Sequence, residues 1–243
     1  MSLAKLKALI KESNNIVFLG GAGVSTESNI PDFRTDTGIY SDKNMDYSPE
    51  TILSHSFFIK NTELFYSFYK SKMIYKDAKP NAAHIALAKL EEMEKLKSVI
   101  THNIDGLHQA GGSKNVLELH GSVHRNYCMS CNQFYSLDDI INSKEIIPYC
   151  KECGGIIKPD VVLYEEALNS DVLEKAIAYI SKADILIVGG TSLLVYPAAG
   201  LVNYFRGKAL VLINKSQTPY DSQADFVIHD SIGKVLSQLA DIS

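Results

Sequence analysis

Tryptophan is absent from the 243-residue chain, and no apolar run reaches the roughly 18–20 residues that a membrane-spanning helix needs. The N-terminal segment 3–12 mixes leucine with lysine and acidic residues, and it lacks the apolar core and small-residue cleavage site of a secretory signal. A basic excess is also missing, because 24 Lys and Arg residues are opposed by 28 Asp and Glu residues, for a net charge of −4. Strong nucleic-acid binders usually carry such an excess. We therefore expect a cytoplasmic protein with no membrane contact and no direct nucleic-acid partner.

Cysteine is scarce and concentrated in one stretch. The four cysteines are Cys128, Cys131, Cys150 and Cys153, with the spacing C-x2-C-x18-C-x2-C. Two C-x-x-C turns that each aim two thiolates at one point are typical of a tetrahedral zinc site. Four thiolates leave no open position for water or substrate, so the predicted role of this zinc ion is structural. The alternatives are free buried cysteines and a redox pair, but a redox C-x-x-C needs only one pair, in a thioredoxin-like context.

The fold class follows from alternating strands and helices. Hydrophobic residues make up 46% of the chain, which is enough for a substantial core. Apolar strand segments alternate with helical apolar spacing, and this predicts an α/β fold: a Rossmann-like parallel sheet with helices on both faces. The strands are predicted at 16–19, 98–101, 116–119, 160–164, 184–188, 208–213 and 224–228. The helices are predicted at 3–12, 56–75, 81–96, 171–181, 197–205 and 231–239.

Two stretches interrupt this alternation. The cysteine-bearing stretch 122–158 is predicted to form a small zinc-ribbon module. The stretch 35–97 begins with a polar loop without periodicity, typical of a lid, and continues with apolar residues at helical spacing. We therefore divide the chain into a Rossmann-like nucleotide-binding domain, a lid loop with a helical module at 35–97, and the zinc module. The Rossmann-like domain comprises residues 1–34, 98–121 and 159–243.

A glycine-rich loop follows the first predicted strand. Gly20-Gly21-Ala22-Gly23 lets backbone N–H groups approach a ligand closely, and a strand followed by such a turn is typical of phosphate sites. Thr26 occupies the third position of the G-x-G-x-x-G pattern, so this loop alone predicts a nucleotide site no better than a tight turn. A stiff turn beginning at Pro31 comes next, with an acid, an aromatic residue and a base.

Polar residues also follow four later strands of the predicted sheet. The carboxyl ends of parallel strands meet at one edge, where α/β proteins bind their ligands. These residues should therefore converge with the glycine loop on a single crevice. They are Asn103-Ile104-Asp105, His120, Gly190-Thr191-Ser192 and Asn214.

Taken together, these motifs resemble those of one family, the sirtuins, which are NAD-dependent protein-lysine deacylases. The resemblance covers nearly the whole chain in the same order and is strongest to the short bacterial members. It rests on Gly21-Ala22-Gly23-Val24-Ser25, Pro31-Asp32-Phe33-Arg34, Asn103-Ile104-Asp105 before Gly106-Leu107-His108, His120-Gly121, the two C-x-x-C pairs and Gly190-Thr191-Ser192-Leu193.

The resemblance implies a chemistry and a set of site residues. The acyl oxygen of an acetyl-lysine would attack C1′ of the nicotinamide ribose, and the products would be lysine, nicotinamide and O-acetyl-ADP-ribose. His120 would be the general base, a task that suits a neutral imidazole near pH 7, with Asn103 and Asp105 as the other catalytic residues. The implied NAD-binding residues are Ala22, Gly23, Thr26, Asp32, Phe33, Arg34, His102, Asn103, Ile104, Asp105, His120, Gly190, Thr191, Ser192, Asn214, Ser231 and Ile232.

The resemblance further implies that an acetyl-lysine protein is the substrate. Its backbone would add as a strand between Val162-Leu163 and Leu194-Val195. The zinc ion would be structural, and we expect a monomer. The alternatives are a protein ADP-ribosyltransferase or longer-chain deacylase that uses the same site, and a non-catalytic zinc adaptor that binds NAD or ADP-ribose.

Four positions depart from the family pattern. Asn29 and Thr35 replace glycines that flank the Ile-Pro-Asp-Phe-Arg string, and Asn is the non-glycine residue that best tolerates left-handed backbone. His102 replaces the usual glutamine, which leaves its ribose contact open and could add a pH dependence. Glu165 replaces a glycine near the acyl-peptide, and we expect its carboxylate to favour basic residues beside the lysine.

The acyl preference depends on Tyr69 and Lys72. Family members that remove succinyl groups carry Tyr-x-x-Arg, whose arginine binds the acyl carboxylate. This chain has Tyr69-Lys70-Ser71-Lys72 at the comparable place. A lysine is a point charge rather than a bidentate fork, so we expect a preference for acetyl.

Overall fold

The computed structural model describes residues 3–32, 38, 46–194 and 198–241, and a parallel sheet of six strands runs through it. The strand order is β3-β2-β1-β7-β8-β9, and every neighbouring pair in this sheet is parallel. The strands of the large sheet are β1 Ile16–Gly20, β2 Leu96–Thr101, β3 Val116–Glu118, β7 Ile185–Gly189, β8 Ala209–Ile213 and β9 Phe226–Ile228. A second sheet has the order β5-β4-β6 and consists of β4 Gly121–Cys128, β5 Phe134–Ser136 and β6 Ile157–Val161.

Both faces of the large sheet are covered, as the alternation predicted. The helices are α1 Leu3–Glu12, α2 Pro49–Ile52, α3 His55–Lys60, α4 Thr62–Lys72, α5 Ala82–Glu92, α6 Leu107–Ala110, α7 Leu137–Ile141, α8 Ser170–Lys182 and α9 Ile232–Ala240. On β1, Ile16 and Phe18 share one core with α1, α5 and α9, whereas Val17 and Leu19 share another with α8. A strand alternates its side chains between two faces, so β1 is buried on both of them.

Helices α2, α3 and α4 and the antiparallel sheet β5-β4-β6 together form a small module with a core of its own. Helices α3 and α4 contribute large aromatic side chains, α2 contributes Ile52, and the antiparallel sheet contributes Val123, Tyr135 and Ile157. Phe65 stacks on Tyr69 with ring centroids 5.5 Å apart, and both rings are fully buried. The helices that follow the lid segment therefore pack on the cysteine-bearing sheet.

The strand predicted at 160–164 differs from β6 in both its bounds and its sheet. Strand β6 runs over Ile157–Val161 and pairs antiparallel with β4. Its side chains alternate between buried and half-buried, which is typical of antiparallel strands with one wet face rather than of a strand covered on both sides. Local apolar character identified a strand near this position, but it did not reveal the partner strand.

Packing also assigns α5 to the large sheet. Ala83, Leu87 and Leu90 lie in the core that contains α1 and α9, so Ala82–Glu92 belongs with the sheet rather than with the helices before it. The domain boundaries, including those of the segment 35–97, stay predictions. The helix predicted at 56–75 is divided into α3 and α4 at Asn61, and Ala198–Tyr204 is a 3₁₀ helix.

Within the described ranges, no helix combines the length and apolar character that crossing a bilayer would require.

Candidate active site

A cavity of about 1260 Å³ opens at the carboxyl ends of the large sheet. Its walls include the glycine loop after β1 and the residues after β2, β7 and β8, together with His120. The predicted convergence of five polar clusters on one crevice is therefore confirmed. Most predicted site residues line it: Ala22, Gly23, Thr26, Asp32, His102, Asn103, Ile104, Asp105, His120, Val162, Leu163, Gly190, Thr191, Ser192, Asn214 and Ile232.

Five of the predicted NAD- and peptide-binding residues do not line this cavity or lie outside the described ranges. Ser231 precedes α9 and does not line the cavity, although Asp230 and Ile232 do. Leu194 is exposed and also lies outside the cavity wall. Phe33, Arg34 and Val195 fall outside the described residues, as does the departing Thr35.

Two glycine loops support each other at the base of the cavity. After β1 the chain forms two short 3₁₀ turns, Ala22–Val24 and Thr26–Ser28, rather than a long helix. Gly23 N donates to Gly190 O at 2.8 Å, and a Cβ on Gly23 would lie 2.8 Å from the Gly190 Cα. Gly190 itself has a φ of +60°. Both positions therefore need glycine, because the two backbones pass too closely for side chains.

A buried hydrogen-bond network ties the residues after β2 to the first glycine loop. Ser25 Oγ donates to Asp105 Oδ2 at 2.6 Å and accepts from Asn103 Nδ2 at 3.0 Å. Asn103 Nδ2 also donates to Gly21 O, and Leu107 N donates to Asp105 Oδ1. Ser25 is 1% exposed, so its hydroxyl orients both predicted catalytic side chains. The sequence places Ser25 in a motif but does not indicate its role. That role depends on hydrogen bonds to Asn103 and Asp105, which are distant in the sequence.

His120 lies between β3 and β4, close to a second imidazole. His120 Nε2 and His102 Nδ1 are 3.2 Å apart. Burial lowers the pKa of His120 below its ordinary value, and burial together with neighbouring His120 lowers the pKa of His102 to about 3. Both rings are therefore neutral near pH 7. Burial thus favours the neutral ring that a general base at His120 requires, and it opposes protonation of His102. The base role of His120 and the pH dependence expected from His102 stay predictions.

Asn214, which follows β8, holds the loop after β7 in place. Its Oδ1 accepts from Thr191 N at 3.0 Å, and its Nδ2 donates to Thr191 O at 2.9 Å. This reciprocal pair of hydrogen bonds links the chain after β7 to the chain after β8, as a pair of backbone hydrogen bonds links adjacent strands. Asn214 thereby fixes the backbone of Thr191 at the cavity wall.

Hydrogen bonds to His120 and Glu166 hold the predicted substrate-binding edge at Val162 and Leu163 in place. Val162 N donates to His120 O at 3.0 Å, and Leu163 N donates to the Glu166 carboxylate at 2.9 Å. That carboxylate also accepts from Lys158 at 3.1 Å and from His55 at 2.8 Å. Burial opposes these contacts, yet the pKa of Glu166 is lowered, so it is ionised and holds the edge in place.

Two of the family departures occupy left-handed backbone. Asn29 has a φ of 62°, in the left-handed region that asparagine tolerates best among non-glycine residues. Glu165 has a φ of 74°, and its carboxylate accepts from the N–H and hydroxyl groups of Ser56 at 2.9 and 3.0 Å. The carboxylate therefore caps the start of α3 at the cavity rim. The preference of Glu165 for basic flanking residues stays a prediction.

The four cysteines form one cluster in the small module. Their sulfur atoms all lie within 4.8 Å of one another, with S···S distances of 3.4 Å for Cys128–Cys153 and 3.5 Å for Cys131–Cys150. A tetrahedral zinc ion with Zn–S bonds of about 2.3 Å needs sulfurs about 3.8 Å apart, so the cluster fits zinc. Tyr135 donates its hydroxyl to Cys150 Sγ at 3.2 Å.

A parallel α/β sheet whose strand ends bring polar residues to one cavity, with a four-cysteine module attached, defines a nucleotide-binding α/β protein. The chain belongs to the Sir2 family, whose model matches residues 21–197.

Similar proteins and similar solved structures support this family assignment. A Clostridium tetani protein named NAD-dependent protein deacetylase is 65% identical over 97% of this chain and 96% of its own length. The Clostridium perfringens protein of the same name is also 65% identical, over 98% of both chains. A Sir2 structure with a p53 peptide and NAD+ has a TM-score of 0.86 at 40% identity, covering 98% of this chain and 97% of its own. Another, Sir2 bound to an acetylated peptide, has a TM-score of 0.88 at 38% identity and full coverage of both chains.

Proposed function

We infer that this chain is an NAD-dependent protein-lysine deacetylase. The observation that carries the proposal is the position of neutral His120 in the same cavity as the paired glycine loops. A pure NAD-binding adaptor has no need of a base there. Near-complete coverage of relatives named as deacetylases supports the same activity.

The cavity is large enough for NAD, and the glycine loops and the polar residues that follow the strands lie in its wall. The paired glycines leave room for a pyrophosphate at Ala22 and Gly23, and Thr191, Ser192 and Asn214 would hold the adenosine side. Asn103 and Asp105 would hold the nicotinamide side, where the hydrogen bonds of Ser25 orient them. Phe33 and Arg34 would join this site as the resemblance implies. When bound, NAD supplies the ribose carbon that receives the acyl oxygen as nicotinamide leaves.

His120 would act as general base toward a ribose hydroxyl. Its Nε2 would accept the hydroxyl proton, and the hydroxyl oxygen would then attack the carbon of the transferred acyl group. Burial favours the neutral ring, so the base is available without first losing a proton. A positioned base of this kind contributes about 10²–10⁴-fold to the rate.

The acetyl-lysine peptide would bind along Val162 and Leu163, with Leu194 and Val195 on its other side. The bonds to His120 O and Glu166 keep this edge in register with the base. Zinc would hold the small module together without touching substrate. Use of all four cysteines as thiolate ligands supports a cytoplasmic location, and we propose that the protein acts as a monomer.

Acetyl is the proposed acyl group. Tyr69 and Lys72 line the cavity, which keeps removal of acidic acyl chains as the alternative. Lysine lacks the fork that binds a carboxylate at two points. Matched acetyl-lysine and succinyl-lysine peptides would separate the two, and faster turnover of the succinyl peptide would reverse the preference.

The test is to incubate the protein with an acetyl-lysine peptide, with and without NAD, and to follow all products by mass. Loss of acetyl with one O-acetyl-ADP-ribose per lysine supports the proposal. Gain of ADP-ribose on the peptide indicates a transferase, and NAD binding without turnover indicates an adaptor. His120→Ala should lower kcat by at least about 100-fold while NAD still binds by calorimetry. Unchanged turnover in that variant contradicts the role of His120.

A further inference from the structure

The pair formed by His102 and His120 is the least ordinary feature of the cavity wall. Their rings have centroids 5.3 Å apart at an interplanar angle of 41°, and the Nδ1 to Nε2 distance is 3.2 Å. His102 directly follows β2, and its N–H donates to Gly20 O at 3.0 Å. This hydrogen bond anchors the backbone of His102 to β1. The position from which its side chain extends toward His120 is therefore fixed.

The surroundings of the second ring nitrogen of His102, Nε2, indicate which of its two nitrogens carries the proton. Its Nε2 is buried and has no hydrogen-bond partner among the described residues. A neutral imidazole carries one N–H, so the proton of His102 is either on this buried nitrogen or on Nδ1. The first arrangement buries an N–H without an acceptor, so its lost hydration is not compensated by any hydrogen bond. The second arrangement donates the N–H to His120 and leaves only a lone pair without a partner.

We propose that His102 is a positioning residue that donates its Nδ1–H to His120 Nε2 and thereby holds His120 in the tautomer with its proton on Nδ1. Nε2 of His120 then carries the lone pair that the base needs. This inference rests on the proposed function, since it gives His120 its role as base. It goes beyond that function in assigning the tautomer of the base to a histidine.

Proton balance is consistent with this assignment. When His120 accepts a proton from a hydroxyl, the O–H bond breaks, an Nε2–H bond forms, and His120 becomes a cation. His102 keeps its single proton throughout and is not a relay. The hydrogen bond from His102 Nδ1–H to His120 Nε2 must break before His120 Nε2 takes the proton. The hydroxyl group then replaces His102 as the hydrogen-bond donor to His120 Nε2.

Histidine side-chain NMR tests the tautomer without any substrate. Protein labelled with ¹⁵N-histidine is recorded in two-bond ¹H–¹⁵N correlation spectra near pH 7.5, and His120 is assigned by the signals that vanish in His120→Gln. We expect an Nδ1–H pattern for His120 in the wild type. His102→Leu should shift His120 toward the Nε2–H tautomer, and His102→Gln, whose amide N–H can donate, should retain Nδ1–H. His124→Gln is the matched control: it removes an imidazole that lines the cavity and bonds to Asp105 O, and should leave the His120 tautomer unchanged.

An Nε2–H pattern in the wild type overturns the proposal, and this outcome depends on no variant folding. An unchanged His120 tautomer in His102→Leu overturns it as well. In kinetics, His102→Leu should lower kcat about tenfold or more with the KM for NAD within about threefold, and His102→Gln should recover most of the loss. A purely structural role predicts no such difference between the two variants. Failure of the proposed function is separate, because it would appear as wild-type protein without turnover while the NMR result stands.

Discussion

Gly121 joins His120 to β4, and its backbone has a φ of +73°. A Cβ at this position would overlap the Asp160 carbonyl oxygen of β6. Gly121→Ala should therefore combine left-handed strain of about 1–2 kcal/mol with a backbone clash, for a total loss of unfolding free energy above about 2 kcal/mol. It should also lower kcat, because His120 O no longer holds Val162 N in place. Urea unfolding with zinc present and steady-state kinetics would measure the two effects.

Gly154 provides the matched control for this prediction. Its φ is also +73°, but nothing lies within 4 Å of the position of an added Cβ. Gly154→Ala should cost only the strain of about 1–2 kcal/mol and leave kcat unchanged. Equal losses of stability and activity in the two variants would show that the contact with Asp160 is unimportant.

Asn29 tests whether a departure from the family pattern costs stability. It ends the Thr26–Ser28 turn with a φ of 62°, and its N–H donates to Thr26 O at 3.2 Å. Asn29→Gly should change the unfolding free energy by less than about 0.5 kcal/mol, whereas Asn29→Ala should lose about 1 kcal/mol, because alanine has no polar side chain to offset left-handed strain. Urea midpoints at one temperature would check both. A stability loss in Asn29→Gly as large as that in Asn29→Ala would mean that the asparagine side chain, not the backbone shape, matters.

At the scale of elements, β5 supports the zinc cluster through one hydroxyl. Buried Tyr135 donates to Cys150 Sγ at 3.2 Å and accepts from Lys151 N at 2.7 Å. Hydrogen bonds to metal ligands typically alter metal affinity by about 10–100-fold when they are removed. Tyr135→Phe should therefore release zinc about tenfold faster to a colorimetric chelator, with little loss of core volume.

Tyr127→Phe is the control for the zinc measurement. Tyr127 lies on β4 and packs its ring on Phe134 at a centroid distance of 5.7 Å, without a hydrogen bond to a cysteine sulfur among the described contacts. Its loss of a hydroxyl should leave zinc release at the wild-type rate. If both variants, or neither, release zinc faster, then the Tyr135 hydroxyl does not stabilise the cluster.

The elements also show how far sequence reasoning extends. Strands buried on both faces, such as β1 and β7, are continuous apolar runs, and their bounds were predicted within one or two residues. Strand β6 was assigned to the wrong segment of the fold, because its partner β4 is chosen by long-range contacts that no local pattern encodes. For the same reason, residues 102–105 were placed at the site by their position after a strand, whereas the bonds of Ser25 and the contact between His102 and His120 emerged only from the structure.

For the whole molecule, the buried histidines link stability to pH. His84 and His108 pack together in the interior with ring centroids 4.7 Å apart, and neither side chain is more than 1% exposed. Burial lowers the pKa of His84 to about 4, although the Asp105 carboxylate opposes this shift. Burial and the adjacent His84 lower the pKa of His108 to about 3. The fold therefore requires both rings to be neutral, whereas the unfolded chain protonates them below about pH 6.5.

The sign of the resulting pH dependence follows from proton counts. Below about pH 6.5 the unfolded state binds more protons than the folded state, so stability that is fully present at higher pH is lost as the pH falls. Each histidine should contribute a loss of about 2 kcal/mol between pH 7 and 5, since one pH unit corresponds to about 1.4 kcal/mol per proton. Urea unfolding at a series of pH values would measure this slope. His108→Phe keeps an aromatic ring near Phe18, which lies 6.1 Å away in the wild type, and removes one of the two protonation sites.

His108→Phe should therefore lose about 2 kcal/mol less than the wild type over that pH interval, whatever its stability at pH 7. Protonation of the zinc-binding cysteines also destabilises the fold in acid, but it affects both proteins equally and cancels in the comparison. The same slope in the two proteins would mean that His108 is not held neutral by the fold. A shallower slope in the variant would establish that the interior behind the active site limits the acid tolerance of the enzyme.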